Sequence, residues 1–180
     1  MHKKIVITGG LGYIGTELCK IYSGVSWNNE ILVIDNRFVS ERVNQLRNWN
    51  IDFIHGDILD KDLVNKYCKD ADIVHHLAGI TDVPRLKSES NNEKDAKIKL
   101  VAEEGTQNIL DAISNKCKII FPSTHVVYEG IEKVKNDILE DEHTKPILSY
   151  AKSKTINEKQ LKNSGKNYII LRLGSVYGYS

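Results

Sequence analysis

Short apolar runs recur along the chain and predict the strands of a sheet. We predict six strands, at residues 3–8, 30–35, 52–57, 71–79, 117–124 and 167–173. Apolar residues stand next to each other within these runs instead of alternating with polar ones. That pattern is typical of parallel strands that are covered on both faces.

Helical patterns lie between the predicted strands. The clearest covers residues 92–115, where apolar residues fall at helical spacing, and others cover residues 13–22 and 149–162. Segment 129–148 is polar and acidic, and we predict a long loop near a site. Strand–helix alternation of this kind predicts an α/β fold, a doubly wound parallel sheet whose ligands bind at the carboxyl ends of the strands.

Composition narrows the class of protein. The chain has 180 residues, which favours one domain over residues 1–180 and is tight for two. A net charge of +1, with lysines spread among acids, argues against a partner nucleic acid. We expect no signal peptide and no membrane span, because no apolar run is long enough. The three cysteines form no C-x-x-C pair, so we expect reduced thiols, a cytoplasmic protein and no zinc site.

The stretch TGGLGYIG, residues 8–15, follows the first strand and opens a helix. That context is the one a dinucleotide-binding motif requires, because the glycines permit close approach of a pyrophosphate to the helix N-terminus. The residues fit two spacings, one starting at Gly9 and one at Gly10. A Walker-type phosphate loop is excluded, since Thr16 and Glu17 follow Gly15 where that loop needs Lys and Ser or Thr.

An acid ends the second strand at the distance that the motif predicts. Asp35 lies 20 residues after Gly15, where a carboxylate accepts hydrogen bonds from the ribose hydroxyls of NAD. It would repel the extra phosphate of NADP, although Arg37 nearby leaves NADP open. The alternative is that Asp35 only caps a loop. Asp57, after the third strand, could reach the adenine amino group or be a plain turn residue.

Tyr150 and Lys154 stand four residues apart in a predicted helix and so share one face. A nearby ammonium and the positive nicotinamide ring would lower the tyrosine pKa and make it a general base. The alternative is an unrelated pair on the surface. Thr124 ends the fifth strand and could hydrogen-bond the reacting oxygen, with Ser123 as the competing candidate.

The histidines lack metal spacing, so we predict no metal site. We expect His75 and His76 to be structural, with one directed to the core and the other to a helix layer. His125 could modulate the site, although a solvent-facing side chain is favoured. Glu158 is expected to form only an ion pair on the helix surface.

Together, TGGLGYIG, VID, GDI, HLAG, EEGTQNILDA, STHVVYEG, YAKSK and RLGSVYG resemble the extended short-chain dehydrogenase/reductase family of NAD-dependent nucleotide-sugar epimerases and dehydratases, which has a Rossmann fold. The resemblance implies a catalytic trio of Thr124, Tyr150 and Lys154, with Lys154 also holding the nicotinamide ribose. It selects the spacing of Gly9, Gly12 and Gly15, which makes Gly10 a permissive extra position. The implied NAD site, with Asn36 and Ser123 added, comprises Gly9, Gly12, Tyr13, Ile14, Asp35, Asn36, Asp57, Ile58, Leu77, Ala78, Gly79, Ser123, Tyr150 and Lys154.

The resemblance also implies a reaction class. Dehydratases of the family place acids after the catalytic Thr, where this chain has His125 and Val126, so a 4-epimerase acting on a UDP-sugar is favoured. A dehydratase, a keto-sugar reductase and a non-catalytic NAD-binding module stay open. Three positions depart from the family pattern: Ala102 and Ser175 stand where Asn is common, and Tyr179 where Pro is common.

Two further expectations come from the resemblance. The C-terminal region that binds the nucleotide half of the substrate is expected to be largely absent from these 180 residues. A homodimer that pairs through the helix at 92–115 and the helix that carries Tyr150 is possible.

Overall fold

Six strands form one sheet in the computed structural model, which describes residues 2–25, 28–81, 92–132 and 137–178. All neighbouring strands are parallel, in the order β3-β2-β1-β4-β5-β6. The predicted doubly wound sheet is therefore confirmed. The strands are β1 Lys4–Thr8, β2 Glu30–Asp35, β3 Asp52–His55, β4 Ile73–His76, β5 Lys118–Thr124 and β6 Asn167–Leu173.

Two strands are shorter than their apolar runs. Strand β4 ends at His76 because the chain then crosses towards the first strand, where the Ala78 N–H donates to Thr8 Oγ1 at 3.3 Å. Strand β3 ends at His55, and Asp57 lies in the turn that follows it. The predicted runs 71–79 and 52–57 thus include residues that line the carboxyl edge of the sheet.

Helices cover the sheet on both faces. They are α1 Tyr13–Val25, α2 Ser40–Asn48, α3 Lys61–Cys68, α4 Asn92–Leu100, α5 Thr106–Ala112 and α6 Ser149–Asn163. Helices α2 and α3 were not predicted, because they are short and largely polar. A local signal for α3 does exist, since Asp60 accepts from the Leu63 N–H at 3.0 Å as an N-terminal cap.

The single helix predicted at 92–115 is wrong in detail. A π-helix at Val101–Gly105 separates α4 from α5, and α5 ends at Ala112. Helical periodicity does not distinguish a widened turn from an ordinary one, so the sequence could not reveal it. Within segment 129–148, residues 129–132 and 137–148 form neither helix nor strand, whereas residues 133–136 lie outside the described ranges.

Two apolar clusters lie on opposite faces of the sheet. Val6 belongs to one cluster, whereas Ile5 and Ile7 belong to the other. Because β1 alternates between two buried faces, its three central residues, 5–7, are all apolar without a polar interval. None of the helices in the described ranges is long and apolar enough to cross a membrane.

Candidate active site

The glycine stretch forms the turn from β1 into α1. Gly9 has a φ of +72°, and a Cβ there would lie 2.6 Å from the Ala78 backbone nitrogen. Gly10 is not permissive, contrary to expectation, because its Cβ would lie 2.6 Å from Cγ1 of the buried Val33. A Cβ on Gly15 would in turn meet Gly10 Cα at 2.6 Å. Close packing of strand, loop and helix therefore requires glycine at positions 9, 10 and 15.

The tip of this loop is held by the acid that ends β2. Asp35 Oδ2 accepts from the Leu11 N–H at 3.0 Å, and Asp35 Oδ1 accepts from the Arg37 N–H at 3.0 Å. Arg42, in α2, donates to the Leu11 carbonyl. Asp35 therefore orders the loop whether or not it also binds a ribose.

Positive charge gathers above the glycine loop. Helix α1 has no acid in its first turn, and its first N–H groups lack intrahelical partners. The Arg37 guanidinium lies 3.7 Å from the position that a Cβ on Gly12 would occupy. A helix N-terminus with a nearby guanidinium suits a phosphate group.

The next part of the edge joins the ends of β2 and β3. Asn36 Nδ2 donates to Asp57 Oδ2 at 2.9 Å, and the Leu59 N–H donates to Asp57 Oδ1 at 2.9 Å. Both carboxylate oxygens of Asp57 thus hold the turn, and each keeps a lone pair for a further donor.

Lys154 is buried on α6 with its ammonium directed at β5. Its Nζ donates to the Pro122 carbonyl at 2.9 Å and lies 4.5 Å from the Phe121 ring centroid. Burial lowers the pKa of Lys154 from its ordinary value to about 8. The group is still mostly charged at neutral pH, so a cation is held beneath the carboxyl edge of the sheet.

Tyr150 lies one helical turn before Lys154, whose Nζ is 5.8 Å from the tyrosine ring centroid. Burial raises the pKa of Tyr150 above its ordinary value. The lowered pKa expected from the sequence is therefore not found in the protein without cofactor, because burial removes water from around the phenol. The sequence-based expectation relied on two positive charges near the phenol, the Lys154 ammonium and the nicotinamide ring of bound NAD.

The hydroxyls of Thr124 and Ser123 have different partners. Thr124 Oγ1 accepts from the Val126 N–H at 3.2 Å, so its own proton stays available to a ligand oxygen. Ser123 Oγ donates to Glu158 Oε1 at 2.6 Å. Ser123 lines the cavity, but its hydroxyl proton is already donated to Glu158. Thr124 is therefore better placed than Ser123 to donate a hydrogen bond to the reacting oxygen.

The expectation of a surface ion pair at Glu158 is wrong. Glu158 is buried and receives two hydrogen bonds from Arg172, Nε to Oε1 at 2.9 Å and Nη2 to Oε2 at 2.6 Å. Burial alone would raise the pKa of Glu158, but the hydrogen bonds from Arg172 and Ser123 hold it below its ordinary value. Glu158 thus ties α6 to β6 through Arg172 and to β5 through Ser123, one helical turn after Lys154.

The two histidines of β4 divide as expected. His75 Nε2 and the Tyr22 hydroxyl, on the α1 side, are 2.7 Å apart. His76 is fully buried between Thr8 Oγ1 at 2.9 Å and Thr106 Oγ1 at 3.0 Å. His125 is exposed, with Nδ1 3.1 Å from the Leu173 carbonyl oxygen. The described residues contain no His, Cys, Asp and Glu group able to hold a metal ion.

These parts surround one cavity of about 970 Å³ at the carboxyl edge of the sheet. Every residue that the sequence analysis assigned to the cofactor or to catalysis lines it. The lining also includes residues without a sequence signal, notably Pro122, whose carbonyl binds the lysine, and Lys97, Leu100 and Val101. Such contacts depend on which strand and helix face the cavity, and no motif encodes that.

The model of the NAD dependent epimerase/dehydratase family matches residues 5–180. The chain belongs to this family. The family is NAD-dependent, so the cofactor predicted from the sequence is confirmed at the level of the family.

Individual relatives agree with this membership. The chain is 33% identical to CDP-paratose 2-epimerase of Salmonella typhi over 153 residues, covering 78% of this chain and 42% of that protein. A structure of UDP-N-acetylglucosamine 4-epimerase from Methanobrevibacter ruminantium M1 in complex with UDP-N-acetylmuramic acid matches with a TM-score of 0.76 and 29% identity, over 95% of this chain and 54% of that one. The Bordetella bronchiseptica enzyme WbmH in complex with NAD+ matches with a TM-score of 0.81 and 27% identity, over 99% and 57%. The chain thus spans about half the length of these relatives.

The cavity suits the family cofactor on structural grounds. A side chain at Gly12 would project towards Arg37 and the Gly9 carbonyl, where a pyrophosphate must come close to the backbone. Asp35 keeps lone pairs for a ribose, and Lys154 could hold the second ribose. The cradle, the charge above it and the acid at the end of β2 therefore fit a dinucleotide.

Proposed function

We propose that residues 1–180 form the NAD-binding domain of an enzyme that epimerises a nucleotide sugar. A UDP-sugar is the proposed substrate and a 4-epimerisation the proposed reaction. The observation that carries the proposal is the shared cavity: Thr124, Tyr150 and Lys154 line the same space as the glycine loop and Asp35. One volume thus holds both a dinucleotide cradle and acid–base groups.

The side chains have distinct roles in this reaction. NAD, when bound, would accept a hydride from a sugar carbon and return it to the opposite face. Tyr150 takes the proton of the sugar hydroxyl as the carbonyl forms, and gives it back on return. Lys154 supplies a fixed positive charge that stabilises the phenolate, and Thr124 donates its free proton to the sugar oxygen.

The chain carries no acid at the two positions after Thr124, which favours epimerisation over dehydration. Those positions are His125 and Val126, and His125 is exposed beside the Leu173 carbonyl. Elimination of water from the sugar requires a group to deliver a proton to the leaving hydroxyl and another to remove one.

Incubation of the full-length protein that contains residues 1–180 with NAD and UDP-glucose, UDP-galactose or their N-acetyl analogues, followed by NMR of the sugars, tests the proposal. We expect interconversion of at least one pair. Tyr150→Phe should reduce the rate by about 10²-fold or more, because positioned acid–base catalysis contributes that much. Tyr168→Phe is the matched control, since Tyr168 lies on β6 outside the cavity lining.

A second candidate is a non-catalytic NAD-binding module, since the glycine loop and Asp35 supply a dinucleotide cradle that needs no acid–base group. Calorimetry with NAD separates the two candidates. Binding of NAD without turnover of any sugar nucleotide by the full-length protein would support the module and reject the epimerase. Absence of NAD binding would reject both.

Assembly and location complete the proposal. We propose a homodimer that pairs through α4, α5 and α6, where a groove lies between α5 and α6 beside Leu110 and Ile156. Light scattering of the purified protein tests this, and a monomer at all concentrations would reject it.

A cytoplasmic location is proposed because Cys19, Cys68 and Cys117 are free, buried thiols, as in a reducing compartment.

A further inference from the structure

Helix α6 carries a buried asparagine, Asn157, on the same face as Tyr150 and Lys154. Asn157 lies three residues after Lys154 and seven after Tyr150, so all three share one helical face. Its side chain is almost fully buried. Its Nδ2 donates to the Ala102 carbonyl at 2.8 Å and to Thr106 Oγ1 at 2.9 Å. The same Nδ2 also lies 3.1 Å from Gln160 Oε1. A neutral amide has only two such hydrogens, and the two shorter contacts are those to the neighbouring helices.

The Ala102 carbonyl belongs to the π-helix that divides the long helix. Gln160, three residues after Asn157, donates to the next carbonyl, that of Glu103, at 2.9 Å. Two amide side chains one turn apart on α6 thus bind two successive carbonyls of the widened turn. This arrangement fixes both the rotation of α6 and its position along the helix axis.

The contact continues across the sheet to the glycine loop. Because Thr106 Oγ1 accepts from Asn157, its own proton can be donated to His76 Nε2 at 3.0 Å. The other ring nitrogen of His76 then donates to Thr8 Oγ1 at 2.9 Å. Thr8 Oγ1 also accepts from the Ala78 N–H, and Ala78 packs against Gly9. A buried chain of hydrogen bonds therefore joins α6 to the start of the glycine loop.

We propose that Asn157 is a positioning residue for the reaction proposed above, which fixes Tyr150 and Lys154 relative to the glycine loop through its bonds to Ala102 and Thr106. The inference rests on the proposed function for its effect on rate. A small rotation of α6 would displace the phenol and the ammonium together, and misplacement by about 1 Å can cost about 10²-fold in rate.

Asn157→Ala tests the proposal, with Asn163→Ala as the control because Asn163 is an exposed asparagine on the same helix. Three quantities are measured: urea unfolding, kcat and KM for the sugar nucleotide, and the titration of Lys154 by NMR of the protein with ¹³C-labelled lysine. We expect Asn157→Ala to lower kcat by about tenfold or more while KM changes little. The pKa of Lys154 should rise from about 8 towards its ordinary value as water reaches the ammonium.

A loss of stability in Asn157→Ala with unchanged kcat and unchanged Lys154 titration would overturn the proposal, because Asn157 would then be only structural. If Asn157→Ala does not fold, Gln160→Ala takes its place, since Gln160 is half-buried and makes the neighbouring bond. Gln160→Ala must then lower kcat and raise the pKa of Lys154. If both stay unchanged, the inference is overturned. If the wild-type protein shows no turnover, the proposed function fails, whereas the Lys154 titration still decides whether Asn157 places α6.

Discussion

Replacement of Lys154 by methionine should stabilise the folded protein at neutral pH. Lys154 keeps a charged ammonium in a buried position, and its pKa is lowered from 10.5 to about 8. At about 1.4 kcal/mol for each unit of pKa, the folded protein at pH 7 bears a cost of about 3 kcal/mol for this charge. Methionine has a similar length and no charge. The Pro122 carbonyl loses its donor, which costs about 1 kcal/mol, so the net gain should be about 2 kcal/mol.

The pH dependence follows from the sign of the shift. Because the folded pKa lies below the unfolded one, the folded state binds fewer protons between pH 8 and 10.5, and stability attributable to Lys154 rises with pH in that window. The charge cost should fall from about 3 kcal/mol at pH 7 to about 1 kcal/mol at pH 9.5. The advantage of Lys154→Met over wild type should shrink accordingly.

Urea unfolding of wild type, Lys154→Met and Lys152→Met at pH 7 and 9.5, all without cofactor, measures this difference. Lys152 is exposed on the same helix and should show neither the gain nor the pH dependence. A Lys154→Met protein that is less stable than wild type at pH 7, or whose advantage stays constant up to pH 9.5, would refute the reasoning. Lys154→Met should lose turnover although it is more stable, because in the proposed reaction the Lys154 ammonium stabilises the Tyr150 phenolate.

Three further predictions concern the packing and charge around the site. Gly10→Ala should cost about 2 kcal/mol in urea unfolding because its Cβ meets Val33, whereas Gly24→Ala, with nothing within 4 Å of its Cβ, should gain about 0.5–1 kcal/mol; equal effects would contradict this. Glu158→Gln should cost about 3 kcal/mol at pH 7 by leaving the Arg172 guanidinium unpaired. The Glu158 pKa in the folded protein is lowered from its ordinary 4.5, so the loss should begin to shrink as the pH falls below 4.5, where the unfolded wild type binds this proton before the folded protein does; a deficit constant with pH would argue against it. Burial lowers the pKa of His76 from 6.5 to about 3, so between these two pH values the unfolded state binds that proton and the folded state does not. Wild type should therefore lose about 2.5 kcal/mol relative to His76→Gln between pH 7 and 4.5, as read from urea unfolding at both values, and parallel curves would speak against a buried neutral imidazole.

Local patterns predicted much of the fold and of the candidate site. Consecutive apolar residues indicated the six strands, although the edge strands β3 and β6 are exposed or half-buried and only inner strands are covered on both faces. The acid at Asp35 and the pair Tyr150 and Lys154 could be found by spacing, since they lie at fixed distances from a strand end or on one helical turn. Their convergence on one cavity follows from the parallel sheet, in which the carboxyl ends of all strands share an edge.

Other features depended on contacts between segments far apart in sequence. The sequence contained no sign that Gly10 packs on Val33, that Glu158 pairs with Arg172 14 residues later, or that Asn157 binds a π-helix carbonyl 55 residues earlier. The direction of the Tyr150 pKa shift was likewise decided by how much water the fold removes from the phenol. The amino-acid sequence by itself determined the strands, the glycine turn and the positions of the candidate acid–base residues, because these depend on neighbours within one strand or helix. Only the tertiary structure decided which side chains are buried and which partners hold them, because burial and charge pairing arise between distant segments after the chain has folded.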